Sequence, residues 1–210
     1  PETAEALLHI LEKTGVAFAV LHDEPASGCA MGDLMGWVEE VRTQARKAGE
    51  AIRATGAKRL VVLDSYDAAM MRHEYQDWGI ELPEIWTATA FVDDLIKSGR
   101  LSPRREEMSV SYHDGSRLAR DLDEHQPARD ILTAMGCEIH EMWQNRRLAK
   151  CCGSAVMGQC LPELRDKVAS GRWNDVKRTS ACPQSTEALQ ATVPEGYTYR
   201  DLFVLLSERI

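Results

Sequence analysis

Residues 108–142 decide the fold: Met108-Ser-Val-Ser-Tyr-His-Asp-Gly-Ser116 opens the stretch and Ala128-Arg-Asp-Ile-Leu-Thr-Ala-Met-Gly-Cys-Glu-Ile-His-Glu-Met142 closes it. Met108–Tyr112 reads as a strand. Ala128–Met135 has helical spacing and stops at Gly136, a residue suited to the left-handed backbone that ends helices. Cys137–Met142 then reads as a second strand. A strand, a helix and a strand in this order predict a parallel pair joined by a crossover.

Downstream come a loop with Cys151-Cys152-Gly153 and a helix through Pro162–Ala169. Asp175–Thr179 then leads to a loop at Cys182-Pro-Gln-Ser185, and Asp201–Leu206 gives a short terminal helix. Upstream, the same order is found. Leu7, Leu8 and Leu11 lie on a helix that stops at Gly15, and Val16–Leu21 reads as a buried strand. A long helix from about Leu34 to Ala54 closes at Gly56, Leu60–Leu63 is a second apolar run, and Ile85-Trp-Thr-Ala88 precedes a helix at Phe91–Lys97.

Laid together, Gly15 matches Gly136, Ser27-Gly28 matches Cys152-Gly153, and Asp64-Ser-Tyr-Asp67 matches Cys182-Pro-Gln-Ser185. A repeat of roughly 100 residues is longer than a solenoid period. The expected architecture is therefore α/β with two pseudo-symmetric halves, 1–102 and 103–210, each a small, mostly parallel sheet flanked by helices. The first half opens on a helix where the second opens on the strand Met108–Tyr112. Its opening strand and loop are expected to be missing, with the natural chain starting before Pro1.

Composition narrows the function. The 210 residues are 44% hydrophobic and 28% charged, which suits a folded domain. The net charge of −8 argues against a general nucleic-acid surface, which needs clustered cations. No apolar run reaches the ~20 residues of a membrane-spanning helix. Pro1-Glu-Thr-Ala-Glu lacks a secretory pattern, so the expected location is cytoplasmic or peripheral on a membrane complex. Six cysteines in that setting suggest buried thiols or metal ligands rather than disulfides.

Loops at the strand ends of a parallel sheet converge at one rim. Three second-half loops are expected there: Asp114-Gly-Ser116, Cys151-Cys152-Gly153 and Cys182-Pro-Gln-Ser185. Soft thiolates suit iron–sulfur clusters or zinc. Inert buried thiols are the plain alternative, and the wider pattern weighs against it. Val110-Ser-Tyr-His-Asp-Gly-Ser116, the helix ending at Gly136, the acidic strand Cys137–Met142, Lys150-Cys-Cys-Gly-Ser-Ala155 and Thr179-Ser-Ala-Cys-Pro-Gln-Ser185 follow one another in a specific order. This order resembles the cysteine-rich CCG domain of heterodisulfide-reductase-type iron–sulfur oxidoreductases. That family carries His-Asp-Pro-Cys, Cys-Cys-Gly and Cys-x-x-Cys at these places.

The resemblance implies a cluster, [4Fe-4S] in type and confined to the second half, held by Cys151, Cys152 and Cys182. Ser116 and Ser185 stand where two further family cysteines belong. It also implies a subunit of a redox complex, exchanging electrons between a flavin or ferredoxin-like iron–sulfur partner and a thiol/disulfide or quinone couple. The alternatives are a zinc site of three thiolates and one N or O ligand, or a cluster-free structural subunit. In the first half Ser27-Gly28 and Asp64–Asp67 carry no Cys at the ligand positions, so no cluster is expected there.

His113 reads as a ligand or as a pin for the Asp114 loop, and Asp64 and Asp67 as cation ligands or as caps. Cys29, Cys137 and Cys160 are expected to pack, and Arg146-Arg147 with Lys150 forms a short basic loop.

Overall fold

The structure, a computed structural model, describes residues 2–29, 32, 36–153, 160–176, 179–181 and 186–210. It falls into two compact units, Phe18–Ala88 and a larger one made of Pro1–Ala17 with Thr89–Ile210. Each unit holds one parallel sheet flanked by helices.

The larger unit is built on four parallel strands: β3 (Met108–Tyr112), β4 (Cys137–Glu141), β5 (Thr179–Ala181) and β6 (Tyr199–Arg200), in the order β4-β3-β5-β6. β3 lies inside the sheet, and Val110, Ser111 and Tyr112 are buried. Helices α6 (Ser116–Arg120) and α7 (Gln126–Ala134) connect β3 to β4, with Ile131 and Leu132 of α7 buried. The crossover ends at Gly136, whose φ is +86° and whose missing Cβ would meet the Glu106 backbone nitrogen at 3.2 Å. A side chain there would be strained twice, by conformation and by contact.

Helices α8 (Pro162–Arg172) and α9 (Thr186–Ala191) flank β5 in sequence. The last helix, α10 (Leu202–Ser207), is apolar at nearly every position and buried accordingly, packing against α1 (Glu2–Lys13) and α7. Lys97, at the end of α5 (Ala88–Lys97), sits 2.6 Å from both Asp93 and Asp130, tying α5 to α7.

Asp201 caps α10, its Oδ1 accepting from the Phe203 and Val204 N–H groups at 2.9 and 3.1 Å. Burial pushes its carboxyl up to about 6, although the two N–H groups and Thr3 draw it down. The folded pKa lies above the unfolded value, so the stability this carboxyl contributes is full below about pH 4 and is lost as pH rises through about 6. Asp201→Asn keeps the capping oxygen without the charge. Chemical denaturation should show a gain on the order of 2 kcal/mol above pH 6 and little change at pH 4.

In the smaller unit, β1 (Arg59–Val62) pairs in parallel with β2 (Glu84–Thr87). α2 (Val38–Ala54) buries Val41, Ala45, Ala48, Gly49 and Ile52, a stripe at helical spacing. Gly49 is there because a Cβ would come within 2.5 Å of Ile80. α3 (Ser65–Arg72) starts at Asp64, whose carboxylate accepts from the Tyr66 and Asp67 N–H groups, and α4 (Glu74–Asp77) follows directly.

One expected strand is absent. Residues 16–21 are not a strand, and Phe18 and Val20 are 41% and 66% exposed. The corresponding second-half segment, β4, is held by pairing with β3 along its whole length. No strand among the described residues pairs with 16–21, and an apolar run without a ladder partner leaves its backbone to water.

Candidate metal centre

Three strands deliver their ends to one edge. Tyr112 of β3 stands in register with Glu141 of β4 and Ala181 of β5. His113–Ser116 follows β3. The loop 142–153, with a 3₁₀ turn at Arg146–Leu148, follows β4 and carries Cys151-Cys152-Gly153.

Gly153 has φ +79°, and its N–H donates to Cys151 Sγ at 3.2 Å. A Cβ there would lie 3.4 Å from Arg165 Cα. The tripeptide therefore folds back on its own sulfur as glycine allows and other residues resist. Cys151 is half-buried and its thiol is pulled down to about 5. The largest cause is a hydrogen bond with the Cys152 thiol. Burial opposes it, while the Gly153 N–H, the Ser116 hydroxyl and the Arg120 charge add to it. These donors favour the thiolate form of Cys151. Cys152 is 2% exposed and sits in an apolar cluster with Met142, Ala169, Trp173, Val176 and Leu189.

Cys151, Cys152 and Ser116 are thus brought together. Cys182 and Ser185 lie outside the described residues. Among the described residues no three His, Cys, Asp or Glu side chains gather as a metal site.

The loop before Cys151 is laced to the loop after β3. The buried His113 donates from Nε2 to the Lys150 carbonyl at 3.2 Å. Burial first, and the Arg172 charge second, lower its pKa to about 4. A neutral imidazole pinning the residue before Cys151 is the role the geometry gives it. Arg120 donates to the Ala149 carbonyl at 2.5 Å, and the Arg146 N–H donates to Asp114 Oδ2 at 2.8 Å.

Behind these contacts lies Arg129, which sequence reasoning passed over. Its guanidinium meets Asp114 with two bonds of 2.8 Å and Glu141 with bonds of 2.7 and 2.8 Å. It also donates to the His125 carbonyl and lies over the Tyr112 ring, 5.1 Å from its centroid. The available signal was an arginine between Ala128 and Ile131 on the buried face of α7, facing acidic Glu141 at the end of β4.

The remaining cysteines divide. Cys137 packs within β4, as expected. Cys160 was expected to be in the core and is exposed, because it lies ahead of α8 rather than on its inner face.

In the smaller unit the matching loops also meet, with other chemistry. Ser27 donates to Asp67 Oδ1 at 2.5 Å, and the buried Tyr75 donates to the Ser27 carbonyl at 2.9 Å. Burial raises the Asp67 carboxyl above its usual range despite the Ser27 bond. Asp64 is engaged as the cap of α3, the second of the two roles its sequence suggested. A hydroxyl–carboxyl pair stands where the repeat has thiols.

The larger unit thus carries a vicinal cysteine pair in the loop that follows its parallel strand β4. Residues 110–183 match the family model of the cysteine-rich CCG domain. Over 207 residues, or 91% of the chain, it is 28% identical to a probable membrane-anchored ferredoxin of Chromohalobacter salexigens. It is 27% identical over 69% of its length to the probable iron-sulfur-binding oxidoreductase FadF of Bacillus subtilis, and 24% identical over 90% to an EtfAB:quinone oxidoreductase of Syntrophomonas wolfei. The chain spans 30%, 21% and 27% of those relatives, so it corresponds to one part of each. It is similar to iron–sulfur, electron-transferring oxidoreductases. Among the described residues no helix is long and apolar enough to cross a membrane.

Proposed function

We propose that this chain is the cysteine-rich module of a heterodisulfide-reductase-like iron–sulfur complex. In this reading Cys151, Cys152 and Cys182 hold a [4Fe-4S] cluster in the second half, and Ser116 and Ser185 border it. The module passes electrons between a flavin or ferredoxin-like partner subunit and a thiol/disulfide or quinone couple, at the periphery of a membrane complex. The carrying observation is the pairing of Cys151 and Cys152 at the sheet edge, with the Gly153 N–H donating to the Cys151 sulfur. The repeat is read as two halves, 1–102 and 103–210, with the Ser27–Asp67 pair marking the half that holds no cluster.

As far as the described residues reach, they fit such a group: two adjacent soft donors beside N–H and O–H donors to sulfur. When bound, the cluster supplies one-electron transfer at a potential set by its surroundings. The chain's own residues set those surroundings. The Gly153 N–H and the Ser116 hydroxyl withdraw charge from Cys151 Sγ, and Arg120 adds a positive field, all of which raise the potential. Met142, Trp173, Val176 and Leu189 keep water from the Cys152 side. His113 and Arg120 hold the backbone at Lys150 and Ala149, directly before the cysteine pair.

The test is metal and sulfide analysis of protein purified without oxygen. Iron and acid-labile sulfide in equal amounts, with a brown absorbance that bleaches on reduction, is the expected result. Zinc without sulfide would replace this reading with a structural zinc site, and protein that binds neither after reconstitution with iron and sulfide would leave only the scaffold.

A further inference from the structure

The loop 142–150 has a surface the cluster does not need. Trp143 is 85% exposed and Leu148 74%, the two most exposed large apolar side chains among the described residues. Between and beside them stand Arg146, Arg147 and Lys150, all exposed, and the loop contains no carboxylate. This is a basic, aromatic loop on a chain of net charge −8.

The loop is also held by hydrogen bonds at several points. Arg146 has φ +52°, a conformation that disfavours residues other than glycine, and is kept there by Asp114 Oδ2 on its N–H. Asn145 donates to the Met142 carbonyl at 2.7 Å, Arg120 clamps Ala149, and Arg129 holds Asp114 from behind. Arg146 is steadied by Glu141 at 3.1 Å and Arg147 by Asp123 at 3.3 Å, so the guanidinium groups are oriented as well as charged. Exposed Trp and Arg on a fixed backbone are the residues that dominate protein interfaces. The loop ends at Lys150, directly before Cys151.

We propose that the loop 142–150 is the docking surface for an acidic electron-carrier protein, with Trp143 and Leu148 as the apolar anchor and Arg146, Arg147 and Lys150 as the charge guide. Charge complementarity argues for the partner: on a chain of net charge −8, this loop carries three cationic residues and no carboxylate. The proposal rests on the electron-transfer reading above and names the class of its partner.

Binding and cluster content are separable, so the test measures both. An acidic flavodoxin is the probe and basic cytochrome c the control, titrated calorimetrically against the whole chain at low and at moderate salt. From net charge alone, the chain should prefer cytochrome c. The proposal expects flavodoxin to bind more tightly, at least tenfold more weakly to Trp143→Ala, and more weakly to Arg147→Glu, with the Arg147→Glu loss shrinking as salt rises past about 0.15 M. Iron and sulfide content should be the same in both variants and wild type. Preference for cytochrome c, no flavodoxin binding, or variants that bind like wild type would overturn the proposal. So would Trp143-dependent adsorption to phosphatidylserine vesicles without flavodoxin binding, which would make the loop a lipid contact. Loss of iron in wild type alone bears on the cluster and not on the loop.

Discussion

Arg129→Met is expected to destabilise the protein by about 3–5 kcal/mol, the range for removing one partner of a buried ion pair. Asp114 is 3% exposed, and both its carboxylate oxygens are met by the guanidinium of Arg129. Methionine fills much of the volume but leaves that carboxylate buried with the Arg146 N–H as its remaining partner from this network. Adding Asp114→Asn to Arg129→Met should restore part of the loss, since the second change removes the stranded charge. Urea denaturation of wild type, both single variants and the double variant gives the coupling. The Cys loop should respond in the same experiment: Asp114, no longer anchored by Arg129, holds the Arg146 N–H less firmly, and alkylation of Cys151 should change in rate. Additive effects of the two substitutions would mean that Arg129 and Asp114 do not act as a pair.

The sequence made the second half legible because its elements carry their own signals. Alternation in Met108–Tyr112, the stop at Gly136 and the acidic strand at Cys137–Glu141 all became the observed β3, α7 and β4, and the parallel pairing followed. Val16–Leu21 shows the limit of that reading. Its composition is that of a strand, but a strand exists only with a partner, and a partner is a matter of topology rather than composition. Tyr199–Arg200 is the reverse case, too short to be read from pattern and a strand because β5 runs beside it.

The site was legible by a similar division. Cys151, Cys152 and Ser116 were singled out through the family resemblance, and the structure places the Ser116 hydroxyl and the Cys152 thiol beside the Cys151 sulfur. Arg129, Arg120 and Glu141 were not found, because an arginine in a helix reads as surface until the carboxylates that neutralise it are brought to it by the fold. Ser27 and Asp67 belong to the same class: two ordinary polar residues far apart in sequence whose bond of 2.5 Å is visible only once the loops meet. Cys160 was misplaced because a cysteine beside a helix start has no periodic context to show which way it faces.

The most direct test of the central claim is a paired comparison of Cys152→Ser and Cys160→Ser, purified and reconstituted without oxygen. Cys152 is buried next to Cys151 at the sheet edge, whereas Cys160 is an exposed thiol ahead of α8. Serine keeps the size of cysteine but is a harder donor and far less acidic, so a cluster relying on three thiolates should not survive the loss of one. The account predicts that Cys152→Ser loses most of its iron and sulfide and its electron transfer, with Cys160→Ser matching wild type in all three. Equal iron in the two variants would contradict it.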